Sequence, residues 1–286
     1  MADPIQESTI VIRDVNGVSE LRAVEAMQKE VWGCADLDVV PFTLLVASKE
    51  VGATLIGAYD DGSLVGFVYG FTGYENRHVT HHSHMLAVKP AYRNHQLGYK
   101  LKLAQRERVL SDGIERITWT FDPLQSLNAH LNFRKLGVVS DTYKTNFYGE
   151  ATSSFLHQIG TDRLWVTWLL DSQRVHERLE ATEDTQSLFD KDNAPALVQN
   201  SIGDVPLSNK SLEIPGSEHL SIEIPLEINR LQREHLELAI EWREATRWAF
   251  KIALNAGYLI EDFYRADRGD HSAGVYLLTL PRRTES

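Results

Sequence analysis

The stretch Met85-Leu86-Ala87-Val88-Lys89-Pro90-Ala91-Tyr92-Arg93-Asn94-His95-Gln96-Leu97-Gly98 constrains this chain more than any other. Its first part has the two-residue period of a strand, which extends back to His81 and puts His82, His84, Leu86 and Val88 on one face. Pro90 has no N–H to give to a ladder and ends the strand. After a short loop, Leu97, Leu101 and Ala104 make an apolar stripe at helical spacing. A helix is therefore predicted from about residue 97 to 111, with Gly113 as its C-terminal cap. The first N–H groups of a helix have no partner inside it and lie at the positive end of its dipole. A strand, a tight loop and a helix start thus make a seat for an anion.

Composition narrows the function classes. The 286 residues suffice for one large domain or two modest ones, and 43% apolar with 24% charged residues is ordinary for a globular protein. No apolar run reaches the roughly 18–20 residues of a membrane helix, and the start of the chain lacks a signal-peptide pattern. Cys34 is the single cysteine, which excludes an intramolecular disulfide and suits a reducing compartment; a cytoplasmic protein is expected. The net charge of −11 argues against a nucleic-acid partner. Residues 171–221 carry −6 of it, whereas residues 89–116, around the anion loop, carry +4. That local excess suits a polyanionic ligand, and the solvent faces of amphipathic helices account for it equally well.

In chain order, a strand is predicted at Thr9–Arg13, a helix from Ser19 through Val31, a loop at 33–41 and a second helix from Pro41 to Lys49. Thr54–Tyr59 and Leu64–Gly70 form a hairpin through Asp60-Asp61-Gly62-Ser63. The His81 strand, the anion loop and its helix follow, then a strand at Arg116–Phe121. Beyond Gly149 come a strand at Arg163–Leu170 and an acidic tract near 180–210 that reads as a linker. A strand at Leu220–Ile224, two helices between Leu226 and Ala256, and strands at Tyr258–Arg265 and Gly274–Leu280 complete the chain.

Arg93-x-x-Gln96-Leu97-Gly98 is similar to the pyrophosphate loop of the GNAT superfamily of acyl-CoA N-acyltransferases, which usually reads Arg/Gln-x-x-Gly-x-Gly/Ala. Ser126-Leu-Asn128-Ala129-His-Leu-Asn-Phe133-Arg-Lys135-Leu136-Gly137 resembles that family's second signature helix, and both stand in the family's order. The resemblance covers roughly residues 9–148. It implies an α/β (α+β) fold with a mixed central sheet and flanking helices, in a GNAT-like domain at 1–150. It also implies an acyl-CoA co-substrate, acetyl-CoA by default, contacted by Leu86, Ala87, Val88, Arg93, Asn94, His95, Gln96, Leu97, Gly98, Tyr99, Asn128 and Phe133, with the Val88 N–H serving the thioester carbonyl. His82 falls where some relatives carry a basic glutamate, so His82 or His84 is the expected general base, with Glu75 and Asp122 as carboxylate alternatives. Two departures stand out. Gln96 replaces a glycine, and Phe133 replaces the tyrosine held to protonate the leaving thiolate, which shifts that role to Tyr143, Tyr148 or solvent.

Residues 151–286 form a second lobe. Phe250 through Arg265 echoes Phe133 through Lys144, so the lobe reads as a degenerate GNAT-like repeat without a second phosphate loop. The histidines at 78, 81, 82 and 84, with Cys34 or His130, lack a second ligand pair, and no metal is expected. Trp165, Trp168, Trp242 and Trp248 read as core or interface. The expected activity is direct transfer of an acetyl, succinyl or other acyl group from CoA to a small-molecule amine or amino acid. The alternative is a catalytically degenerate scaffold that binds CoA or another ligand. No membrane partner is expected, and a homodimer is the candidate assembly.

Overall fold

In the computed structural model, which describes residues 10–33, 35–93, 95–149, 158–181, 194–214, 216–269 and 271–281, an amphipathic pattern near the N-terminus becomes the first helical layer. Strand β1 (Val11–Asp14) leads into helix α1 (Gly17–Trp32), whose buried face is Leu21, Val24 and Met27. Gly33 ends α1 with φ 63°, the left-handed conformation glycine adopts without steric cost. Helix α2 (Phe42–Glu50), strands β2 (Thr54–Asp60), β3 (Ser63–Glu75) and β4 (His78–Val88), helix α3 (Leu97–Ser111) and strand β5 (Arg116–Phe121) follow. The β2–β3 hairpin turns on Asp61 and Gly62, both at positive φ as its tight loop demands.

Contacts divide the chain into two units, with the change at Trp119/Thr120. In the first, the strand order is β1-β2-β3-β4-β5, antiparallel except for β4 with β5. Helices α1 and α2 cover one face, where Val24, Met27 and Leu45 pack on Phe67, Tyr69, Met85 and Ala87. Helix α3 covers the other, through Leu97 and Leu101 on Ile56, Val65 and Val68. Each such side chain taken fully out of water stabilises the fold by about 1.5–3 kcal/mol, which is why this sheet sandwiched by helices is the observed solution. The mixed sheet with flanking helices is the fold class expected from the sequence.

The second unit continues with helix α4 (Ser126–Ala129), which runs into a π-helical turn at His130–Lys135. Then come β6 (Val139–Lys144), β7 (Arg163–Leu169), α5 (Gln173–Glu180), β8 (Ala196–Ser201), β9 (Val205–Ser208), β10 (His219–Pro225), α6 (Ile228–Glu234), α7 (Leu236–Asn255), β11 (Leu259–Asp267) and β12 (Ser272–Thr279). Their order is β7-β6-β11-β12-β10-β8-β9.

The linker reading for 180–210 needs correction where the chain is described: β8 and β9 form a hairpin there, and β8 runs parallel to β10. Leu197 and Val198 are fully buried by that pairing. A tertiary partner outweighs a weak local pattern, as is common for strands. Residues 182–193 lie outside the described residues. Among the described residues no single helix is long and apolar enough to cross a membrane.

Candidate functional site

Strand β4 departs from a plain two-residue alternation. Tyr69 pairs with Met85 but Gly70 pairs with Ser83, so His84 is an extra residue, a β-bulge. The bulge exchanges the faces of the strand. Before it, His81 and Ser83 point to α3, where they meet Gln105. After it, Leu86 and Val88 pack against the α3 cluster while Met85 and Ala87 join the α1 side. His82 and His84 therefore do not share a face with Leu86 and Val88, which corrects the sequence expectation. They stand with Tyr69 and Phe71 instead: ring centroids are 5.6 Å apart for Phe71–His82, 5.9 Å for Phe71–His84 and 6.4 Å for the two histidines. His84 is exposed and His82 half-buried.

The same strand opens at its far end. Lys89 N–H donates to Val65 O at 2.9 Å. By the alternation of an antiparallel ladder, Val88 is then in a non-hydrogen-bonded pair and its N–H points away from β3. On that side β5 is in register only at His81–Ile117 and His82–Thr118. Pro90–Tyr92 makes a single 3-10 turn, and Arg93 Nε reaches back to Val88 O at 3.4 Å. Helix α3 starts with no side chain capping it, and its first backbone bond is Lys100 N–H to Gln96 O at 3.0 Å. The N–H groups of Leu97, Gly98 and Tyr99 precede that bond and are the donors a helix start offers to an anion. Asn94 lies outside the described residues; Arg93, His95 and Gln96 are exposed.

Gln96 is the N-cap of α3 with φ 56° and ψ 16°. This left-handed conformation costs a residue with a Cβ roughly 1–2 kcal/mol, so the position favours glycine for reasons internal to the loop. Gln96→Gly is expected to raise stability by about 0.5–1 kcal/mol, the relief being partly offset by the freer unfolded chain. A urea midpoint at or below that of the wild type would contradict this. Gly98 differs. A Cβ there would meet only Leu86 Cδ2, at 3.8 Å, so the fold itself does not require glycine.

Beneath the loop lies a polar core that sequence reasoning missed. Lys102, 2% exposed, donates to Ser83 Oγ at 2.8 Å and Gln105 Oε1 at 3.2 Å, with its ammonium 3.6 Å from the Trp119 ring centroid. Burial holds its pKa well below the usual lysine value. Gln105 Nε2 sits 3.2 Å from His81 Nε2, in space left by Gly70, where any Cβ would collide with the His81 ring and the His82 carbonyl. Burial, and then the Lys102 charge, lowers His81 to about 4. A histidine neutral in the fold and protonated when unfolded makes stability fall as pH drops from about 6.5 toward 4. The urea midpoint should decline over that window, and His81→Gln should flatten the decline.

Several expected residues are placed otherwise. Phe133 is fully buried, edge-on to Tyr276 and 6.1 Å from Phe121, so it is a core side chain with no ligand-facing surface. Tyr143 donates to Asp162 Oδ2 at 2.5 Å, and burial raises its pKa far above that of a free phenol. Its hydroxyl proton is thus given to a buried carboxylate. Tyr148 is 45% exposed, with its hydroxyl 3.3 Å from Thr120 Oγ1. Asn128 is exposed on α4. Among the described residues no group of three His, Cys, Asp or Glu is placed to hold a metal ion, and Cys34 is not among them.

Residues 21–138 match the sequence profile of the acetyltransferase (GNAT) family. The chain carries a GNAT acetyltransferase domain. The reaction of that family is acyl transfer from CoA to an amine. A comparison with curated proteins finds no match. Among solved structures, the chain is similar to the ribosomal-protein-S18-alanine N-acetyltransferase of Escherichia coli, with 13% identity over 63% of this chain and 100% of the other, at TM-score 0.45. A GNAT-family acetyltransferase of Streptococcus pneumoniae shares 16% identity over 55% of this chain and 98% of the other, at TM-score 0.44. An aminoglycoside 6'-N-acetyltransferase complexed with coenzyme A shares 16% over 57% and 98%, at TM-score 0.42. At these scores the likenesses carry no weight of their own, and the assignment rests on the profile match.

Proposed function

We propose that this protein transfers an acyl group, acetyl by default, from CoA to the amine of a small molecule or amino acid. The observation that carries this reading is the uncapped start of α3 immediately after a strand that is bulged at His84 and open at Val88. Backbone N–H groups of residues 97–99 would hold the pyrophosphate, with Arg93 beside them, and the Val88 N–H would stabilise the oxyanion formed as the amine adds to the thioester. His82 lies about 17 Å back along β4 from Val88, so it takes the amine proton through a chain of bound waters rather than by direct contact. The C–S bond then breaks and the thiolate leaves, acquiring its proton from water.

Gly98 provides the test. Alanine fits the unliganded protein and improves the helix, so Gly98→Ala should raise stability by up to about 1 kcal/mol. The same Cβ would stand between the α3 backbone and a phosphate, so CoA affinity should fall about tenfold or more. Calorimetry with CoA and urea unfolding on the two proteins decide it, and equal affinity would refute the site.

A second reading, binding without turnover, is favoured by the burial of Phe133 and the strained Gln96. It predicts CoA affinity with no acyl-CoA consumption across a panel of amines. For the second lobe we infer a degenerate repeat. Gly137 and Gly257 both end helical segments at positive φ ahead of a strand, and the equivalent Ser140 and Ile260 pair with each other, antiparallel.

A further inference from the structure

In the second unit, three guanidinium groups meet two carboxylates. Asp162, fully buried, is saturated: it accepts Arg247 Nε at 2.7 Å and Nη2 at 3.0 Å, the Tyr143 hydroxyl at 2.5 Å and Asn146 N–H at 2.9 Å. Asp122 is used differently. Its Oδ2 accepts Nη2 of Arg243 at 2.7 Å, and its Oδ1 is held by the Leu124 N–H at 2.9 Å. Arg243 is 2% exposed and gives its Nε to the Ile159 carbonyl at 3.2 Å. Its Nη1, which carries two N–H groups, is buried and has no acceptor.

Arg163, also buried, gives Nη1 to the Asp162 carbonyl at 2.9 Å and lies 5.2 Å from the Tyr148 ring centroid. It is near enough to Arg243 for their charges to repel. Two buried cations thus share Asp122, and one arm of one of them is unmatched. An ionised donor without an acceptor in a dry site is costly, and the geometry that satisfies a guanidinium fork best is a carboxylate. Tyr148 is exposed, and the Arg247 side chain is 30% exposed, so the cluster has an edge in contact with solvent.

We propose that Arg243, flanked by Arg163 and Tyr148, is a binding site for the carboxylate of a small molecule. An amino-acid acceptor and a non-reacting effector both carry that group. This proposal does not rest on the acyl-transfer reading, since it concerns binding alone.

Thermal-shift and calorimetric titrations of the full-length protein at constant ionic strength test it, using acetate, glycine and L-glutamate, with acetamide and inorganic phosphate as comparators. At least one carboxylate should bind saturably, and the comparators should not. Arg243→Lys, which keeps a cation beside Asp122 but lacks the free arm, should weaken that binding at least tenfold. Should Arg243→Lys fail to fold, arginine-labelled wild-type protein supplies the readout, because its Arg243 side-chain NMR signals should move on titration. Acylation of the bound amino acid in the presence of acetyl-CoA identifies an acceptor, and binding without acylation identifies an effector. Absence of saturable carboxylate binding overturns the proposal. So does equal or tighter binding of phosphate or acetamide, unchanged affinity in Arg243→Lys, or an Arg243 signal indifferent to the ligand.

Discussion

Replacing His82 by glutamine is expected to lower kcat/KM about a hundredfold without unfolding the protein. A positioned general base typically contributes 10²–10⁴-fold, and His82 belongs at the low end of that range. Burial, followed by the His84 and Lys102 charges, lowers its pKa to about 4. The ring is therefore neutral and ready to accept a proton across the whole neutral range, but it is a weaker base than a histidine of ordinary pKa. Its Nδ1 lies 3.3 Å from Thr118 Oγ1, at one of the two positions where β4 and β5 are in register, so the ring is held in place. Glutamine preserves polarity and approximate size while removing basicity. His84, exposed and on the bulge, should matter only fewfold. Because His82 titrates near 4, the acidic limb of the wild-type profile should reflect deprotonation of the amine substrate, and the variant should keep the profile's shape and lose its height. A loss smaller than fivefold in a variant of unchanged circular dichroism would remove His82 from the mechanism.

The contrast between His82 and Phe133 shows what the sequence makes legible. The β4–loop–α3 segment is read from local signals: alternation, a proline stop, a helical stripe and a recognisable loop. Each acts within a few residues, and each appears in the structure. The bulge at His84 has no local signature in a run of histidines, so the faces of β4 exchange without notice and Leu86 and Val88 part from His82. Phe133 and Tyr143 depend on partners far along the chain, Tyr276 and Asp162, and no spacing rule reports those. Lys102 is a similar case. On a helical projection it passes for a solvent-facing cation, yet Ser83, Gln105 and Trp119 enclose it. Gln96 is the reverse: a departure from a sequence pattern that the backbone explains, because the position it occupies is left-handed.

Asp162→Asn is expected to destabilise the protein by about 3–5 kcal/mol, the cost typical of removing one partner from a buried ion pair. The carboxylate is completely inaccessible and accepts four donors, two of them from the fork of Arg247. Asparagine keeps the shape but offers one acceptor oxygen instead of two and turns an N–H₂ toward groups that are themselves donors. It also removes the carboxylate that both arms of the Arg247 fork meet. Burial alone would raise the Asp162 pKa, but the hydrogen bonds from Arg247, Tyr143 and Asn146 reverse this and leave it below the ordinary value. A carboxyl with its folded pKa below its unfolded pKa adds stability that is fully present above about pH 4 and is lost as pH falls through the folded value. The stability difference between wild type and Asp162→Asn should accordingly be constant near neutrality and narrow in acid. Adding Arg247→Met to Asp162→Asn removes the stranded cation as well, so the double variant should recover part of the loss, a non-additivity expected only of groups in direct contact. Urea midpoints of the wild type, Asp162→Asn, Arg247→Met and the double variant at pH 7 and pH 3.5 measure all of this. A single-variant loss under 1 kcal/mol, or strict additivity, would mean that the pair does not hold the second unit together.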